Sequence, residues 1–221
     1  MRGESTSALD RVVAAFRAGD PVLVHDAVDR EGETDLLYPA SAVTPAAVTR
    51  MRTDGGGLIF VALTAAVADR FQLPFLHETV DHPANDHSDL GYDAHPSFSL
   101  TVNHREGFTG VTDDDRALTI RRLGEVSGNE DYGVEAFADE FRTPGHVHLL
   151  RAAPGLLTDR RGHTELGLAL AREAGIAPAV AGCEMLDDET GGALSTADAR
   201  AYARRNDLPF VDGGDLVTAF D

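Results

Sequence analysis

The chain alternates short apolar runs with helix-spaced apolar residues along its whole length, and this alternation restricts it to a few architectures. Leu9, Val12 and Phe16 recur at the spacing of one helical face. Residues 97–103 instead alternate polar and apolar side chains, as a half-buried strand does. Neither an internal repeat nor a linker interrupts the order. A chain of 221 residues can bury one good core, so the pattern predicts a single α/β (α+β) domain over residues 1–221, built on a mixed sheet.

The bounds of the predicted elements come from caps, glycines and prolines. Thr44 with Pro45 predicts one helix start, and Ser195 with Asp198 predicts another. The predicted strands cover residues 22–24, 36–38, 58–63, 97–103, 147–150, 155–157, 180–186 and 210–211. The predicted helices cover residues 9–16, 45–52, 65–71, 113–123 and 164–174, and a last helix begins at residue 195. Residues 77–95 are interpreted as an exposed loop and residues 124–141 as a polar connection.

The charge balance is strongly acidic. Acidic residues number 37 against 19 basic ones, every basic residue is arginine, and the formal net charge is −18 at pH 7. Nucleic acid is therefore not an expected partner, because neutralising phosphates requires a basic face. High net charge is also typical of disordered chains, but a hydrophobic share of 43% is too large for that class. We interpret the charge as a surface adapted to concentrated salt, where repulsion between like charges is screened.

Neither membrane insertion nor secretion is predicted. The longest apolar runs, such as residues 58–63, are far too short to cross a bilayer. The polar N-terminus leads directly into a helical pattern and does not resemble a signal peptide. A single cysteine, Cys183, excludes an internal disulfide framework and fits a reducing compartment. The sequence therefore predicts a soluble cytoplasmic protein.

Residues 29–35 (Asp-Arg-Glu-Gly-Glu-Thr-Asp) form an acidic segment between two predicted strands, with four carboxylates in seven residues. One reading is a solvated hairpin turn in a chain that is rich in acids. The other is that several carboxylates converge on one pocket, where some hold Mg²⁺ or Mn²⁺ and one acts as a base. The segment alone leaves both readings open.

Residues 160–165 (Arg-Arg-Gly-His-Thr-Glu) begin a predicted helix. Free backbone N–H groups and the positive end of the dipole make a helix N-terminus an anion site. Arg160 would add a charged fork, Thr164 a hydroxyl and His163 a metal ligand. The alternative is an ordinary capped surface helix with exposed arginines.

Further polar residues are candidates for a site. His146 and His148 would share one face of a strand, although a histidine is more often structural than catalytic. Glu184 interrupts an apolar strand, and a carboxylate buried there needs either a structural partner or a role in a site. The histidines within residues 77–95 match no zinc spacing and are interpreted as part of a polar loop. The glycines at 55–57 precede a strand, which disfavours a Rossmann dinucleotide site.

Taken together and in their order, these segments resemble the 3,4-dihydroxy-2-butanone 4-phosphate synthase family of riboflavin biosynthesis. The resemblance covers almost the whole chain. It rests on residues 22–24, 29–35, 109–112, 115–116, 142–147, 162–165 and 183–184. Each segment is weak support by itself, whereas all of them in the family's order are hard to obtain by chance.

The resemblance implies a three-layer domain in which helices flank a mixed twisted sheet. It implies a lyase that converts D-ribulose 5-phosphate, a small sugar phosphate, to L-3,4-dihydroxy-2-butanone 4-phosphate and formate. The implied cofactor is Mg²⁺, with Mn²⁺ as the alternative ion. The implied assembly is a homodimer with active sites at the subunit interface, in a monofunctional form without a cyclohydrolase domain.

The family's functional positions can be carried onto this chain residue by residue. By resemblance, Glu31 and His163 are metal ligands. His146 and Glu184 match positions regarded as essential for catalysis, and Glu33 is counted with them as a further carboxylate of the acidic loop. The substrate-contacting positions are Arg30, Glu31, Asp35, Arg160, Gly162, His163, Thr164 and Glu184.

The implied chemistry fits these residue types. Forming an enediol requires a base beside a carbonyl, which a carboxylate supplies, and a divalent cation would polarise that carbonyl. The later rearrangement and loss of a one-carbon fragment need acids and bases on both sides of the substrate, which His146 and Glu184 could supply. The order of the proton transfers stays open.

Some positions depart from the family pattern without removing a functional side chain. Gly32 and Thr34 stand where the family usually has Asn and Gly, and Arg161 stands where Gly is common. Residues 81–96 and 124–141 also match poorly. Two alternatives come from other classes: a silent sugar-phosphate sensor, which the intact catalytic positions disfavour, and an unrelated metal-dependent hydrolase, which would release phosphate but no formate.

Overall fold

A computed structural model describes residues 8–26, 32–86, 90, 93 and 95–220. Its strands are β1 (Val22–His25), β2 (Thr34–Pro39), β3 (Gly56–Leu63), β4 (Phe98–His104), β5 (Phe141–Arg151), β6 (Ala179–Met185) and β7 (Phe210–Asp212). They form one seven-stranded sheet in the order β4-β5-β3-β6-β2-β1-β7. The pairs β3–β5 and β1–β7 are parallel and the other neighbours are antiparallel, so the sheet is mixed as predicted.

Helices connect most of these strands. They are α1 (Ala8–Ala18), α2 (Pro45–Arg50), α3 (Ala65–Arg70), α4 (Leu76–Thr79), α5 (Asp113–Ser127), α6 (Val134–Glu140), α7 (His163–Ala174), α8 (Thr196–Arg205) and α9 (Gly213–Phe220). A π-helical turn, Met51–Gly55, continues α2 towards β3. Within the described ranges, none of these helices is both long and apolar enough to cross a membrane.

Two apolar clusters lie on opposite faces of the sheet. One contains Leu36 and Ile59 and packs against α2 and α5, whereas the other contains Leu37 and Phe60 and packs against α1, α7 and α9. Neighbouring positions of one strand thus belong to different clusters, as a side-chain period of two requires. The resulting helix–sheet–helix arrangement confirms the predicted three-layer fold.

Local capping agrees with the predicted helix starts. Thr44 Oγ1 accepts a hydrogen bond from the Ala47 N–H at 3.2 Å at the start of α2. Before α8, Ser195 Oγ accepts from the Asp198 N–H at 3.2 Å and donates to the Asp198 carboxylate at 2.6 Å. These bonds satisfy backbone donors that a helix start leaves without an intrahelical partner.

Some segments differ from the sequence prediction. The polar connection predicted over residues 124–141 contains the end of α5 and all of α6. Its helical pattern is weak because Phe137 is the one fully buried residue of α6, and most residues around it are polar or exposed. The strand predicted over residues 155–157 is wrong, since Leu156–Thr158 form a 3-10 turn in which Leu157 is buried. The loop predicted over residues 77–95 contains most of α4, and α9 was not predicted at all.

Candidate functional site

Strand register brings carboxylates to one face of the sheet. Asp35 on β2 lies directly opposite Glu184 on β6 in the antiparallel register. Directly paired residues project to the same face, and Leu37, two positions after Asp35, packs in the cluster that contains α7. Asp26 follows β1 two positions after Val24, which belongs to that same cluster. The period of two therefore carries all three carboxylates to the face that α7 covers.

Asp26, Asp35 and His163 form a cluster that could hold a cation. One ligand atom from each lies within 4.8 Å of the others, and His163 Nδ1 is 3.9 Å from Asp35 Oδ2. Asp26 is 3% exposed and Asp35 is 0% exposed. Carboxylate oxygens suit hard divalent cations, and an imidazole nitrogen suits several metal ions. Two oxygen donors and one imidazole nitrogen therefore fit a divalent cation at this point.

A cleft with a volume of about 260 Å³ lies beside His163. Its lining contains four residues that the sequence predicts for the site, namely Glu33, Arg160, His163 and Glu184. The remaining lining is mostly apolar and comes from Leu58, Phe60, Pro96, Ser97, Phe98 and Leu150. The cleft thus combines two carboxylates, one imidazole and one guanidinium with apolar walls, which strengthens electrostatic interactions inside it.

Glu184 is oriented by the backbone of β3. The Leu58 N–H donates to Glu184 Oε2 at 2.7 Å. A Cβ atom at Gly57 would lie 2.6 Å from the same oxygen, so this position needs glycine for the carboxylate to fit. Burial raises the pKa of the Glu184 carboxyl above its ordinary value. A carboxyl that is fixed in place and has a raised pKa suits proton transfer.

The N-terminus of α7 faces the same region. Gly162 is the N-cap, and His163 and Thr164 are the first two helical residues. Thr164 is 0% exposed, and its Oγ1 has no hydrogen-bond partner in the described part of the chain. The helix is 12 residues long and directs free N–H groups and its positive dipole end to this point. An anionic group such as a phosphate fits there.

Arg160 lies between two carboxylates. Its Nε donates to Asp93, and its Nη1 donates to Glu165 at 3.0 Å. Glu165 is 0% exposed and also accepts from the Ala153 N–H at 3.0 Å. Burial raises the pKa of Glu165, although Arg160 opposes this rise. Asp93 was not predicted as part of the site, because it falls in residues 77–95, which were interpreted as an exposed loop.

Two predicted residues cannot be placed. Arg30 and Glu31 lie outside the described residues, so their assignments as a substrate contact and a metal ligand stay predictions. Arg161, which stands where the family commonly has Gly, is exposed and does not belong to the cleft lining.

His146 lies outside the lining of this cleft. It is exposed, and it lies in β5 where the register against β4 shifts. The His146 N–H donates to Asn103 Oδ1 at 2.8 Å, and His146 Nδ1 lies 3.2 Å from Asn103 Nδ2. Asn103 therefore fixes both the backbone and the ring of His146. The alternation of residues 97–103 predicts only that Asn103 lies on the polar face of its strand, and it does not predict this contact.

The segment around residues 109–112 is shaped by one carboxylate. Asp115 accepts the N–H groups of Phe108, Thr109 and Gly110 at 3.1, 3.0 and 2.8 Å. These bonds lower the pKa of Asp115, and the Gly110 bond contributes most. The loop presents Phe108, which is 93% exposed, and Val111, which is 52% exposed.

A family model described as 3,4-dihydroxy-2-butanone 4-phosphate synthase matches residues 10–219. The chain belongs to this family. A synthase of that name from Archaeoglobus fulgidus is 52% identical over 213 residues, which cover 92% of this chain and 90% of that protein. One from Methanosarcina mazei is 48% identical over 231 residues, covering 98% of this chain and 92% of that protein.

Solved structures of 3,4-dihydroxy-2-butanone 4-phosphate synthases have the same fold. A synthase in complex with two magnesium ions matches with a TM-score of 0.81 and 31% identity, over 96% of both chains. The Candida albicans synthase matches with a TM-score of 0.79 and 28% identity, over 99% of this chain and all of that one. The folds agree over nearly the full length of each chain, so the three-dimensional structure supports the same family as the sequence comparison does.

Within this synthase-family fold, Asp26 is, like Asp93, a residue of the candidate site that the sequence did not predict. The sequence does contain a sign of this position, because Asp26 lies two residues after Val24, just as Val24 lies two residues after Val22. Because side chains alternate between the two faces of a strand, Asp26 is expected to project to the same face as Val22 and Val24. The sequence analysis instead assigned the carboxylates of the site to residues 29–35.

Proposed function

We propose that this chain converts D-ribulose 5-phosphate to L-3,4-dihydroxy-2-butanone 4-phosphate and formate, which makes it a lyase of riboflavin biosynthesis. The observation that carries the proposal is the cleft that joins Glu33 and Glu184 to His163 and Arg160. This reaction needs acid–base groups, a cation-binding group and an anion-binding group within one small volume. The family assignment supports the same reaction.

The proposed cofactor is Mg²⁺, with Mn²⁺ as the alternative ion. The cluster of Asp26, Asp35 and His163 supports a divalent cation, because its donors suit both ions. The two magnesium ions of a related synthase support Mg²⁺ in particular. Glu31 and His163 are the proposed principal ligands, and Asp26 lies where it can add an oxygen. When bound, the cation supplies polarisation of the substrate carbonyl.

The phosphate end of the substrate is proposed to lie at the start of α7. Arg160 supplies a guanidinium, Thr164 a buried hydroxyl and Gly162 an N-cap without a side chain in the way. The positive end of the helix dipole adds to the attraction. Arg30 and Asp35 are the proposed contacts to the sugar hydroxyls.

Glu184 and Glu33 are the proposed proton-transfer groups inside the cleft. They reach it from different parts of the chain, since Glu184 lies on β6 and Glu33 directly precedes β2. The Leu58 N–H orients the Glu184 carboxylate, and burial raises the pKa of this carboxyl, which suits a group that takes up and returns a proton.

We propose a homodimer in which the active sites are shared between subunits. His146 is a proposed catalytic residue, yet it is exposed and lies outside the cleft lining of its own chain. A Cβ atom at Gly110 would lie 2.1 Å from Asn103, so the loop with exposed Phe108 packs against the residue that holds His146. An apolar surface beside an exposed catalytic residue supports a subunit contact at this point.

The surface is proposed to be adapted to concentrated salt, and the protein is proposed to act in the cytoplasm. A net charge of −18 without a single lysine supports salt adaptation. The free and buried thiol of Cys183 supports a reducing compartment.

Formate release from ribulose 5-phosphate tests the proposed reaction. Release of inorganic phosphate without formate would indicate the metal-dependent hydrolase instead. Binding of the substrate without any turnover would indicate the silent sensor.

A further inference from the structure

A long bulge in β5 sets the position of His146. Over two neighbouring residues of β4, the paired residue on β5 jumps from Val147 to Arg142. Residues 143–146 therefore have no direct partner on β4 in this register. Bulges are common beside active sites, where they redirect a side chain.

Side chains of β4 accept backbone N–H groups that the bulge takes out of the strand ladder. Thr101 Oγ1 accepts from the Gly145 N–H at 3.1 Å, and Asn103 Oδ1 accepts from the His146 N–H at 2.8 Å. The second bond also fixes which end of the Asn103 amide is the oxygen, because an NH₂ group in that place would face another donor. The Nδ2 group of Asn103 therefore lies against the imidazole, 3.2 Å from His146 Nδ1.

This contact determines where the imidazole of His146 carries its hydrogen. An amide Nδ2 can only donate, so it requires the lone pair of Nδ1, and the one hydrogen of a neutral ring then lies on Nε2. Asn103 Oδ1 is 3.3 Å from the same Nδ1 and is the acceptor that an imidazolium needs. In both forms Nε2, the ring nitrogen that Asn103 does not bind, carries a hydrogen.

The Asn103 side chain is itself held in place. It belongs to a residue that is 5% exposed, and the loop before α5 closes over its amide. A Cβ atom at Gly110 would lie 2.1 Å from Asn103 Nδ2. Gly110 has a φ of +85° and donates its N–H to Asp115 at 2.8 Å, which fixes the loop against the amide. The contact with His146 is thus already formed in the protein without substrate.

We propose that Asn103 is a positioning residue that makes His146 meet the substrate as a hydrogen-bond donor through Nε2, and not as the base that starts the reaction. This inference rests on the proposed catalytic role of His146. The first proton, on the carbon beside the carbonyl, then passes to an oxygen of a cleft carboxylate, and the electrons of the broken C–H bond move towards the carbonyl oxygen. The Nε2–H group donates to the oxygen on which this negative charge develops, as a neutral imidazole does in other enediol-forming enzymes.

The test is the substitution Asn103→Asp in the full-length protein, with histidine side chains labelled with ¹⁵N. At about pH 9, where imidazoles are neutral, NMR shows which ring nitrogen carries the hydrogen, and His146→Gln identifies the His146 signals among those of the nine histidines. In the wild type, Nδ1 should lack a hydrogen. In Asn103→Asp the carboxylate keeps the shape and the acceptor oxygen but has no donor, so the hydrogen should move to Nδ1. The value of kcat for formate release should then fall about 100-fold, with little change in KM.

A matched control separates this role from support of the bulge. Thr101→Val removes the other side-chain hydrogen bond of the bulge without touching the ring, and it should keep both the wild-type tautomer and the wild-type kcat. A hydrogen on Nδ1 in the neutral wild type would overturn the inference, whether or not Asn103→Asp folds. An unchanged kcat in folded Asn103→Asp, or an equal loss in Thr101→Val, would also overturn it. Because the ring nitrogens are measured without turnover, the absence of formate from the wild type would contradict the proposed reaction and not the contact of Asn103 with His146.

Discussion

Asp35 and Glu184 are direct cross-strand partners on β2 and β6, and both project to the sheet face that carries α7. Like charges directly opposite each other in a sheet are destabilising, and Asp35 is also fully buried. Such a pair is tolerable where a cation or a proton offsets the repulsion. The pairing therefore links the proposed metal site to the proposed acid–base group.

The cation site predicts a loss of metal affinity on removing His163. The substitution His163→Ala should weaken Mg²⁺ binding at least about tenfold, since one donor of the cluster disappears. Bound Mg²⁺ stabilises the folded state by mass action, so added Mg²⁺ should raise the midpoint of thermal unfolding of the wild type and not of the variant. Titration calorimetry and thermal unfolding with and without Mg²⁺ measure both effects. The exposed His82 provides the matched control, and His82→Ala should bind Mg²⁺ as the wild type does. If His163→Ala also bound Mg²⁺ with wild-type affinity, the assignment of His163 as a metal ligand would be wrong.

Shared active sites predict that two inactive variants restore each other. His146→Ala and Glu184→Ala should each be inactive as homodimers. In a mixed dimer, one site combines Glu184 of one subunit with His146 of the other and is intact. Random reassociation makes half of the dimers mixed with one working site of two, so activity should recover to about a quarter of the wild type.

Co-expression of the two variants followed by a formate assay measures this recovery. Each variant expressed alone serves as the baseline, and size-exclusion chromatography shows whether dimers have formed. Mixed dimers without any recovered activity would place His146 in the site of its own chain.

A hydrogen-bonded carboxylate in α6 predicts the acid limit of stability. Glu140 accepts from Arg122 and Tyr132, each at 2.6 Å, and from His104 at 3.0 Å. Burial alone would raise its pKa, but these donors lower the pKa from 4.5 to about 2. Since the folded pKa lies below the unfolded one, the stabilisation is complete above about pH 5 and is lost as the pH falls towards 2.

Removing this charge should therefore have a pH-dependent effect. Glu140→Gln is expected to lower the free energy of unfolding by about 2 kcal/mol at pH 7, and the difference from the wild type should shrink between pH 5 and pH 3. Urea denaturation at a series of pH values measures it. Glu135→Gln, at an exposed position of the same helix, should cost less than about 0.5 kcal/mol throughout. An equal loss at every pH would show that packing, and not the charge, explains the effect.

The acidic surface predicts stabilisation by salt. Raising the ionic strength from 0.1 to 1 M shortens the screening length from about 10 to about 3 Å, which weakens repulsion among the excess carboxylates. The midpoint of thermal unfolding should rise with KCl over this range. An uncharged osmolyte at equal osmolality is the control, because it does not screen charge. Equal stability and activity without added salt would contradict salt adaptation.

The sequence predicts the parts of the site that depend on local pattern. Glu184 in an apolar strand and His163 at a helix start are read directly from spacing, and the structure places both at one cleft. The order of strands in the sheet is not readable in this way. The pairing of Asp35 with Glu184 depends on register between strands that are remote in sequence, and a single chain does not encode that register in its periodicity.

Other features could not be predicted from the sequence because they depend on contacts between residues that are far apart in the chain. The helix α6 carries one buried apolar residue, Phe137, so its sequence looks like a polar connection. Asp93 belongs to the candidate site because it contacts Arg160, which lies 67 residues away in the sequence. His146 lies outside the cleft lining, in the part of β5 where the register against β4 shifts, and the alternating pattern of that strand does not show this shift.

The most direct test is a quantitative formate assay with D-ribulose 5-phosphate and Mg²⁺ at low and high KCl. We predict formate in amounts equal to the sugar phosphate consumed, dependence on the divalent cation, and loss of activity on chelation. Glu184→Gln should reduce the rate at least about 100-fold, while Glu130→Gln, at an exposed position outside the cleft lining, should leave it unchanged. Absence of formate at every salt concentration from folded, Mg²⁺-supplied protein would contradict the assignment.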